Sequence, residues 1–506
     1  MSPTRVLGVL LAGSVALTAQ SLRVGDVSFA NSGAPAAQAS FLLGLAQLHN
    51  FEYDAAARAF REVQQQDPAF ALGYWGEAMT KNHPVWMEQD LGGARRILER
   101  LGPDPSARIA KGGSERERAY LRAVEALYGA GTKPARDLLY LDQMRRLHHA
   151  FPDDVDATAF LGLALLGSAH EGRDAANYRQ AAAVLEPEFA THPNHPGLAH
   201  YLIHAYDDPA HAALGLPAAR RYSLIAPAAP HALHMTTHIY LALGMWDEVV
   251  LENERAVSVI SDRARSAGRP APACGHYNAW LEYGYLQLGR RAEARRVLDG
   301  CRPVATGAGG LSGRAPEEDL LDPDNTAAGS YIQMWSRYMI DTGDWDNPIA
   351  DEDIALGELA GAKLTRSYVR ALKAAARKDT AALRDELTTL ERARTAVLST
   401  LTDRREGVEQ YRRRAEVIVL EIRGLLAQAE QRQAEAIQTL TTAAEHERAM
   451  PIEFGPPFVD KPAAELLGDA LLALGRSSDA AVAYSDALLR TPRRVAPTRG
   501  LERAKP

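Results

Sequence analysis

The stretch KPAAELLGDALLALGRSSDAAVAYSDALLRTP, residues 461–492, decides the fold. Small residues at Gly468 and Ala480 allow two helices to approach closely, and Tyr484 is placed to fill the gap to the next pair of helices. Pro492 ends the second helix, because proline lacks a backbone N–H and its ring clashes with the preceding turn. The stretch therefore predicts two packed helices that form one unit of a repeating structure.

Similar stretches recur along the chain, and 506 residues are too many for one compact core. Four of these stretches are the segments 41–68, 231–257, 276–301 and 422–444. The shared pattern resembles the tetratricopeptide repeat (TPR), a helical hairpin of about 34 residues. The resemblance implies an all-α fold, a right-handed superhelical solenoid of hairpins in two arrays. The stretches 90–152 and 352–412 match the pattern poorly.

The N-terminus has the layout of a secretory signal peptide. Arg5 precedes an apolar run that ends at Ala19, with small residues near its end. We expect a signal peptide over residues 1–19 and an exported protein, periplasmic or secreted, with no transmembrane span in its mature form. The formal net charge of −7 gives no indication of a nucleic-acid partner, and we expect none.

The rest of the chain divides at a segment rich in Gly, Ala, Pro and Asp that lacks apolar periodicity. We expect an N-terminal TPR array over 36–302, a linker or long loop over 303–329 and a C-terminal helical array over 330–500. The two cysteines, Cys274 and Cys301, permit one disulfide in an exported chain, and two buried free thiols are the alternative.

Nine of the fifteen histidines lie between His192 and His276. The TPR resemblance implies that repeat positions 2, 5, 9, 12 and 13 line a concave groove. The residues that fall on these positions in the central hairpins are His200, His204, Asp207, Asp208, His231, His234, His238 and His276. By the same frame, His49, Trp75, Asn82 and His83 line the groove further along.

Helix geometry selects possible metal ligands among these histidines. Residues four apart share one helix face, which pairs His200 with His204 and His234 with His238. We expect the two pairs to face each other across about 10 Å of helix packing. Four imidazoles, with Asp207 or Asp208, suit Zn, Cu or Fe better than Ca or Mg. A groove for a polar ligand and purely structural histidines are the two alternatives.

Several stretches, among them HPGLAHYLIHAYDDP and PHALHMTTHIYLALGMWDEV, are similar to those of a group of exported bacterial TPR proteins. That resemblance implies a fold and no reaction. The sequence contains no GxSxG, HExxH or phosphate-loop motif. Two hypotheses follow. The first is an exported TPR scaffold that binds a peptide, protein or small polar ligand in a histidine-lined groove. The second is a metalloprotein, a redox or hydrolytic enzyme, that uses the same histidines.

Overall fold

The computed structural model describes residues 23–170, 173–311, 326–400 and 406–505. The predicted signal peptide over 1–19 lies outside the described residues. Nearly all regular structure in the described ranges is helical, with one short antiparallel ribbon of β1 (Asn82–His83) and β2 (Glu88–Gln89). Within those ranges, no helix combines the length and the apolar character that a membrane crossing requires.

The first fifteen α-helices precede the segment that was predicted as a linker. They are α1 (Gln38–His49), α2 (Tyr53–Gln66), α3 (Ala71–Met79), α4 (Leu91–Leu101), α5 (Pro105–Ile109), α6 (Glu115–Leu127), α7 (Lys133–Ala150), α8 (Val155–Leu166), α9 (Ala175–Thr191), α10 (Pro196–Tyr206), α11 (Ala212–Ile225), α12 (Pro230–Ala242), α13 (Trp246–Ser266), α14 (His276–Gln287) and α15 (Arg291–Thr306).

The remaining described helices follow that segment. They are α16 (Ala327–Thr342), α17 (Ala360–Ala376), α18 (Thr380–Thr400), α19 (Glu406–Ala429), α20 (Gln433–Arg448), α21 (Ala463–Ala473), α22 (Ser477–Arg490) and α23 (Val495–Ala504). Short 3-10 helices lie at Pro35–Ala37, Pro84–Trp86 and Pro348–Asp351.

Consecutive helices pack in pairs, as a stack of hairpins requires. The packed pairs include α1–α2, α6–α7, α8–α9, α10–α11, α12–α13, α14–α15, α17–α18, α19–α20 and α21–α22. Alternate helices also meet, for example α10 with α8 and α12. The predicted all-α solenoid of TPR-type hairpins is confirmed. The poorly matching stretches contribute the same kind of unit, since α6 pairs with α7 and α17 with α18.

The small residues of the repeat allow the two helices of a hairpin to pack closely, as the sequence predicted. A Cβ atom added at Gly468 would lie 2.7 Å from the ring of Tyr484, and one at Gly44 would lie 3.1 Å from Phe60. Glycine therefore lets the first helix of a hairpin rest directly on the large side chain of the second.

The predicted linker over 303–329 is shorter at both ends in the structure. Helix α15 continues through Pro303 to Thr306, so the helix includes the proline at which the linker was predicted to begin. Helix α16 begins at Ala327, and the hydroxyl of Thr326 accepts a hydrogen bond from the N–H of Gly329. One hydrophobic cluster joins α14, α15 and α16, so the core continues across this segment. Residues 312–325 lie outside the described part.

The C-terminal hairpins return to contact the middle of the chain. The buried guanidinium of Arg494 donates to Glu465 at 2.8 Å and to the hydroxyl of Tyr283 at 3.1 Å, and it forms an ion pair with Asp341. The indole N–H of Trp246 donates to the carbonyl of Arg493 at 3.0 Å. These contacts bring the end of the chain beside α13 and α14.

Cys274 and Cys301 form a disulfide, with their Cα atoms 4.8 Å apart. The sequence left this bond open, and the structure forms it. The bond ties the segment before α14 to the last turns of α15. It also fixes the chain two residues before His276.

Candidate functional site

Six histidines from three alternate helices gather in the interior of the solenoid. Helix α10 contributes His200 and His204, α12 contributes His231, His234 and His238, and α14 contributes His276. They form two groups, triad A (His200, His204 and His231) and triad B (His234, His238 and His276). Within each triad, one ligand nitrogen per residue lies within 4.8 Å of the other two.

The two triads obey one rule of the repeat. Positions 5 and 9 of one hairpin are completed by position 2 of the next hairpin. The sequence paired histidines along single helices and set His231 and His276 aside as groove residues. The structure adds each of them to the pair on the preceding helix, because the first turn of α12 lies beside α10 and that of α14 beside α12.

Triad B brings three Nε2 atoms together. The Nε2 atom of His234 lies 3.1 Å from Nε2 of His238 and 3.0 Å from Nε2 of His276. The Nδ1 atom of His238 lies 2.5 Å from Oδ2 of Asp207, and Nδ1 of His234 lies 2.9 Å from Oδ1 of Asn253. The amide nitrogen of Asn253 donates to the carbonyl of Val249, so its oxygen faces His234.

These partners assign the protons of triad B. A carboxylate and an amide oxygen only accept hydrogen bonds, so His234 and His238 both carry their proton on Nδ1. Their Nε2 atoms face each other at 3.1 Å, and the neutral ring of His234 directs an Nε2 lone pair to this point. A cation among the Nε2 atoms would be bound by such lone pairs. Carboxylate or amide oxygens behind the coordinating imidazoles are the usual outer partners of such a cation.

The histidines of triad A also direct ring nitrogens toward one another. His200 donates its Nδ1–H to the carbonyl of His49 at 2.7 Å, which leaves its Nε2 lone pair directed elsewhere. The Nε2 atoms of His200 and His231 and both ring nitrogens of His204 meet no hydrogen-bonding group in the described residues. His200 is fully buried and His204 is 2 % exposed. Such groups are costly to bury unless something binds them.

Burial keeps four of the six imidazoles neutral. Loss of solvent lowers the pKa of His200 and His204 well below the usual histidine value, and neighbouring histidines lower it further. The same causes lower the pKa of His231 and His234. Neutral imidazole is the form that binds metal ions, so these four rings are ready ligands at neutral pH.

Aromatic side chains enclose the histidines. The ring of Phe51 lies 4.3 Å from that of His200, and the ring of Trp280 lies 4.4 Å from that of His238. Phe454 lies 6.1 Å from His204 and belongs to the proline-rich segment 450–462, which therefore packs over the cluster. Neighbouring Gly455 has a φ of +96°, and a Cβ there would lie 2.3 Å from Trp280.

A third group, His49, Asp156 and His195, is held by its own hydrogen bonds. Oδ1 of Asp156 lies 2.9 Å from Nε2 of His49 and 3.3 Å from Nε2 of His195, and Nδ1 of His49 lies 3.0 Å from the hydroxyl of Tyr201. Burial lowers the pKa of His49 to about 4. We interpret this group as a support, because the carbonyl of His49 orients His200.

Of the two predicted acidic groove residues, only Asp207 touches the histidine cluster. Its carboxylate contacts His238, so it lies behind an imidazole and not at the position of a metal ligand. Asp208 instead forms an ion pair with Arg173 at 2.9 Å and lies 2.9 Å from Nδ1 of His211.

The outlying groove candidates have local partners. Trp75 is buried, with the rings of Tyr120 and Phe160 within 5.7 Å of it. Asn82 accepts a hydrogen bond from Gln89 across the ribbon. His83 stacks on Tyr53 at 4.1 Å and lies 3.2 Å from Glu88. These three residues were predicted to line the groove. They make packing and turn contacts with their neighbours instead.

Sequence reasoning missed two residues that shape the site. Asn253 occupies the repeat position that the large side chain of Tyr484 occupies in the last hairpin, and that polar exception was a usable signal. Phe454 gave no local signal, because its contact with the cluster comes from a segment distant in the chain.

Comparisons with known proteins support no function. No family model matches the sequence, and no curated protein matches it. A solved structure of human IFIT1 with m7Gppp-AAAA is 12 % identical to this chain and has a TM-score of 0.38. The match covers 91 % of this chain and 95 % of the IFIT1 chain. Yeast Tom70 is 11 % identical, with coverages of 93 % and 95 % and a TM-score of 0.32.

The Cut9–Hcn1 hetero-tetramer of the APC/C is 11 % identical, with coverages of 95 % and 79 % and a TM-score of 0.34. These chains are similar to this one only at low scores. The TPR-type helical-repeat fold is instead established by the packed helix pairs and by the repeat positions of this chain.

Proposed function

We propose that this chain is a transition-metal-binding helical-repeat protein, in which triad B holds Zn²⁺ or a copper ion. The observation that carries the proposal is the convergence of three Nε2 atoms, two of which have their Nδ1 protons directed to Asp207 and Asn253. That arrangement fixes both the tautomer and the orientation of the rings before any ion arrives.

The donor set narrows the choice of metal. Imidazole nitrogen suits Zn, Cu and Fe, whereas Ca²⁺ and Mg²⁺ prefer oxygen. Non-haem iron sites usually combine two histidines with one carboxylate. Here the nearby carboxylate of Asp207 is engaged by His238, so zinc and copper fit better than iron. Three protein ligands leave a fourth coordination position for water or a substrate.

Metal content tests the proposal. The protein is purified without chelators, loaded with zinc chloride, dialysed and analysed by mass spectrometry for bound metal. His276→Ala removes the partly exposed ligand of triad B, and His446→Ala removes an exposed histidine of α20 as the matched control. We expect the first variant to lose one ion per chain and the control to lose none. Equal metal content in all three proteins would refute the site.

Export is part of the proposal. Its supports are the apolar run after Arg5 and the disulfide between Cys274 and Cys301, since disulfides persist mainly in oxidising compartments. The mass of the protein recovered from a periplasmic fraction tests it, because cleavage near Ala19 removes about 19 residues. An uncleaved chain found only in the cytosol would contradict export. That the protein binds no nucleic acid stays a prediction from its net charge.

A second candidate function is binding of a cationic peptide or other polar ligand. Helical solenoids commonly bind partners on extended surfaces. An open cleft of about 1130 Å³ is lined by parts of the segments 26–32, 114–117, 150–155 and 191–195. Its rim carries the exposed carboxylates of Asp26 and Asp153. The ligand was predicted in the histidine-lined groove, and we propose this cleft as its site instead, because the histidines are buried.

Fluorescence anisotropy with labelled tetralysine tests this second function, and tetraglutamate is the control peptide. We expect tetralysine to bind more tightly, and Asp26→Asn with Asp153→Asn to weaken it several-fold. Equal binding of both peptides, or none, would contradict it.

A further inference from the structure

We infer that triad A binds a second ion of the same class, so that the six histidines form a two-metal centre across three successive hairpins. The inference rests on the proposed function of triad B and adds a site to it. Each triad would supply three imidazole nitrogens to one ion.

The unpartnered nitrogens of triad A carry the inference. The Nε2 atoms of His200 and His231 and both ring nitrogens of His204 find no hydrogen bond among the residues described, and each of these atoms is buried. Their ligand atoms nevertheless lie within 4.8 Å of one another. An ion about 2.0 to 2.1 Å from one nitrogen of each residue would give each of the three rings a partner after small side-chain movements.

His200 is oriented by a hydrogen bond from its Nδ1–H, as His234 and His238 are in triad B. Its Nδ1–H is held by the carbonyl of His49, and His49 is held in turn by Asp156 and Tyr201. This chain of hydrogen bonds directs Nε2 of His200 away from the backbone. A second, outer layer of hydrogen bonds of this kind is characteristic of histidines that bind metals.

The two triads also match by position in the repeat. His200 and His204 stand where His234 and His238 stand in the following hairpin, and His231 stands where His276 does. Two sites built from equivalent positions and the same residue type have the same donor set. The preference for zinc or copper therefore applies to both.

The two sites are neighbours. The ring of His204 lies 6.3 Å from that of His238, and the ring of His231 lies 6.3 Å from that of His234. The nearby guanidinium of Arg173 is neutralised by its ion pair with Asp208. Phe51 contacts rings of triad A, and Phe454 contacts a ring of each triad. The two ions would therefore share one enclosed region.

Stoichiometry of the full chain tests the inference, with zinc chloride as the probe and His446→Ala as the control. We expect two ions in the unchanged protein and in the control, and one ion in each of His231→Ala and His276→Ala. His231→Gln, which keeps a polar side chain of similar length, is the alternative if the alanine variant loses helical circular dichroism.

Two other results would overturn the inference in distinguishable ways. One ion in the unchanged protein, retained in His231→Ala and lost in His276→Ala, would refute the second site and leave the proposed function standing. No ion in the unchanged protein would refute both. Loading with copper(II) adds a second readout, since two neighbouring ions broaden each other's paramagnetic resonance signal and a single ion in His231→Ala does not.

Discussion

The carboxylate of Asp207 accepts the Nδ1–H of His238 at 2.5 Å, and this pair decides which nitrogen of His238 faces triad B. Asp207 lies at the C-terminal end of α10, while His238 lies on α12. One hairpin therefore orients the metal ligand of the next. Through that pair, the stacking of the solenoid itself prepares the site.

Substitution of Asp207 tests this role. Asp207→Asn keeps the shape of the side chain and removes its charge, so it weakens the hold on the Nδ1 proton of His238. We expect affinity for zinc at triad B to fall about 10- to 100-fold, measured by competition with a chelator. Asp208→Asn is the matched control, because Asp208 contacts Arg173 and His211 instead. Equal affinities of the two variants would contradict the assignment.

The buried histidines of triad A should lower the stability of the metal-free protein. His204→Leu removes two buried ring nitrogens that have no hydrogen-bond partner in the described part of the chain. We expect the variant to raise the free energy of unfolding of the metal-free protein by about 1–3 kcal/mol, measured in urea. His200→Leu is the control and should be destabilising, because it strands the carbonyl of His49. A loss of stability in His204→Leu would show that the ring is a structural residue.

The segment 450–462 should control access to the ions. Phe454 packs near His204 and His238, and Phe454→Ala would open that side of the cluster to water. We expect bound zinc to pass to an added chelator faster in this variant, in a stopped-flow measurement. Phe458→Ala, in the same segment but packed against Tyr411, should leave the transfer rate unchanged. Identical rates in both variants would exclude this path.

Glu447 should make stability depend on pH. Burial raises its pKa from the usual 4.5 to about 7, while Ala463 donates its backbone N–H to the carboxylate. The unfolded state therefore loses this proton at lower pH than the folded state does. Stability should fall as pH rises from about 4.5 to 7, by up to about 3 kcal/mol from this group.

Glu447→Gln removes that pH dependence and keeps an oxygen for Ala463. We expect the variant to be more stable than the unchanged protein at pH 7.5 and nearly equal to it at pH 4.5, measured by urea unfolding. Glu445→Gln changes an exposed carboxylate two residues away and is the control. A pH profile of Glu447→Gln parallel to that of the unchanged protein would contradict the assignment.

The fold was predictable from the sequence because the hairpins place residues of similar size at the same repeat positions. Gly468 and Tyr484 predicted their own contact, since position and residue size together define how a hairpin closes. The end of α15 was harder to predict. The composition predicted a linker from Pro303 onward, whereas the helix includes this proline and continues to Thr306.

The site was predictable only in part, because helical spacing groups residues on one helix alone. It found the pairs His200 with His204 and His234 with His238. It could not assign His231 and His276 to the preceding helices, since that depends on how far each hairpin is rotated against the last. The enclosure by Phe454 depends on a contact about 250 residues away in sequence, which no local pattern encodes.

We propose that the Nε2 atoms of triad B hold a transition metal. Anomalous diffraction from crystals of the zinc-loaded protein, recorded on both sides of the zinc absorption edge, tests this claim. We predict a peak about 2.0 to 2.1 Å from Nε2 of His234, His238 and His276. A map with no peak among these three atoms, from crystals that contain zinc elsewhere, would contradict the claim.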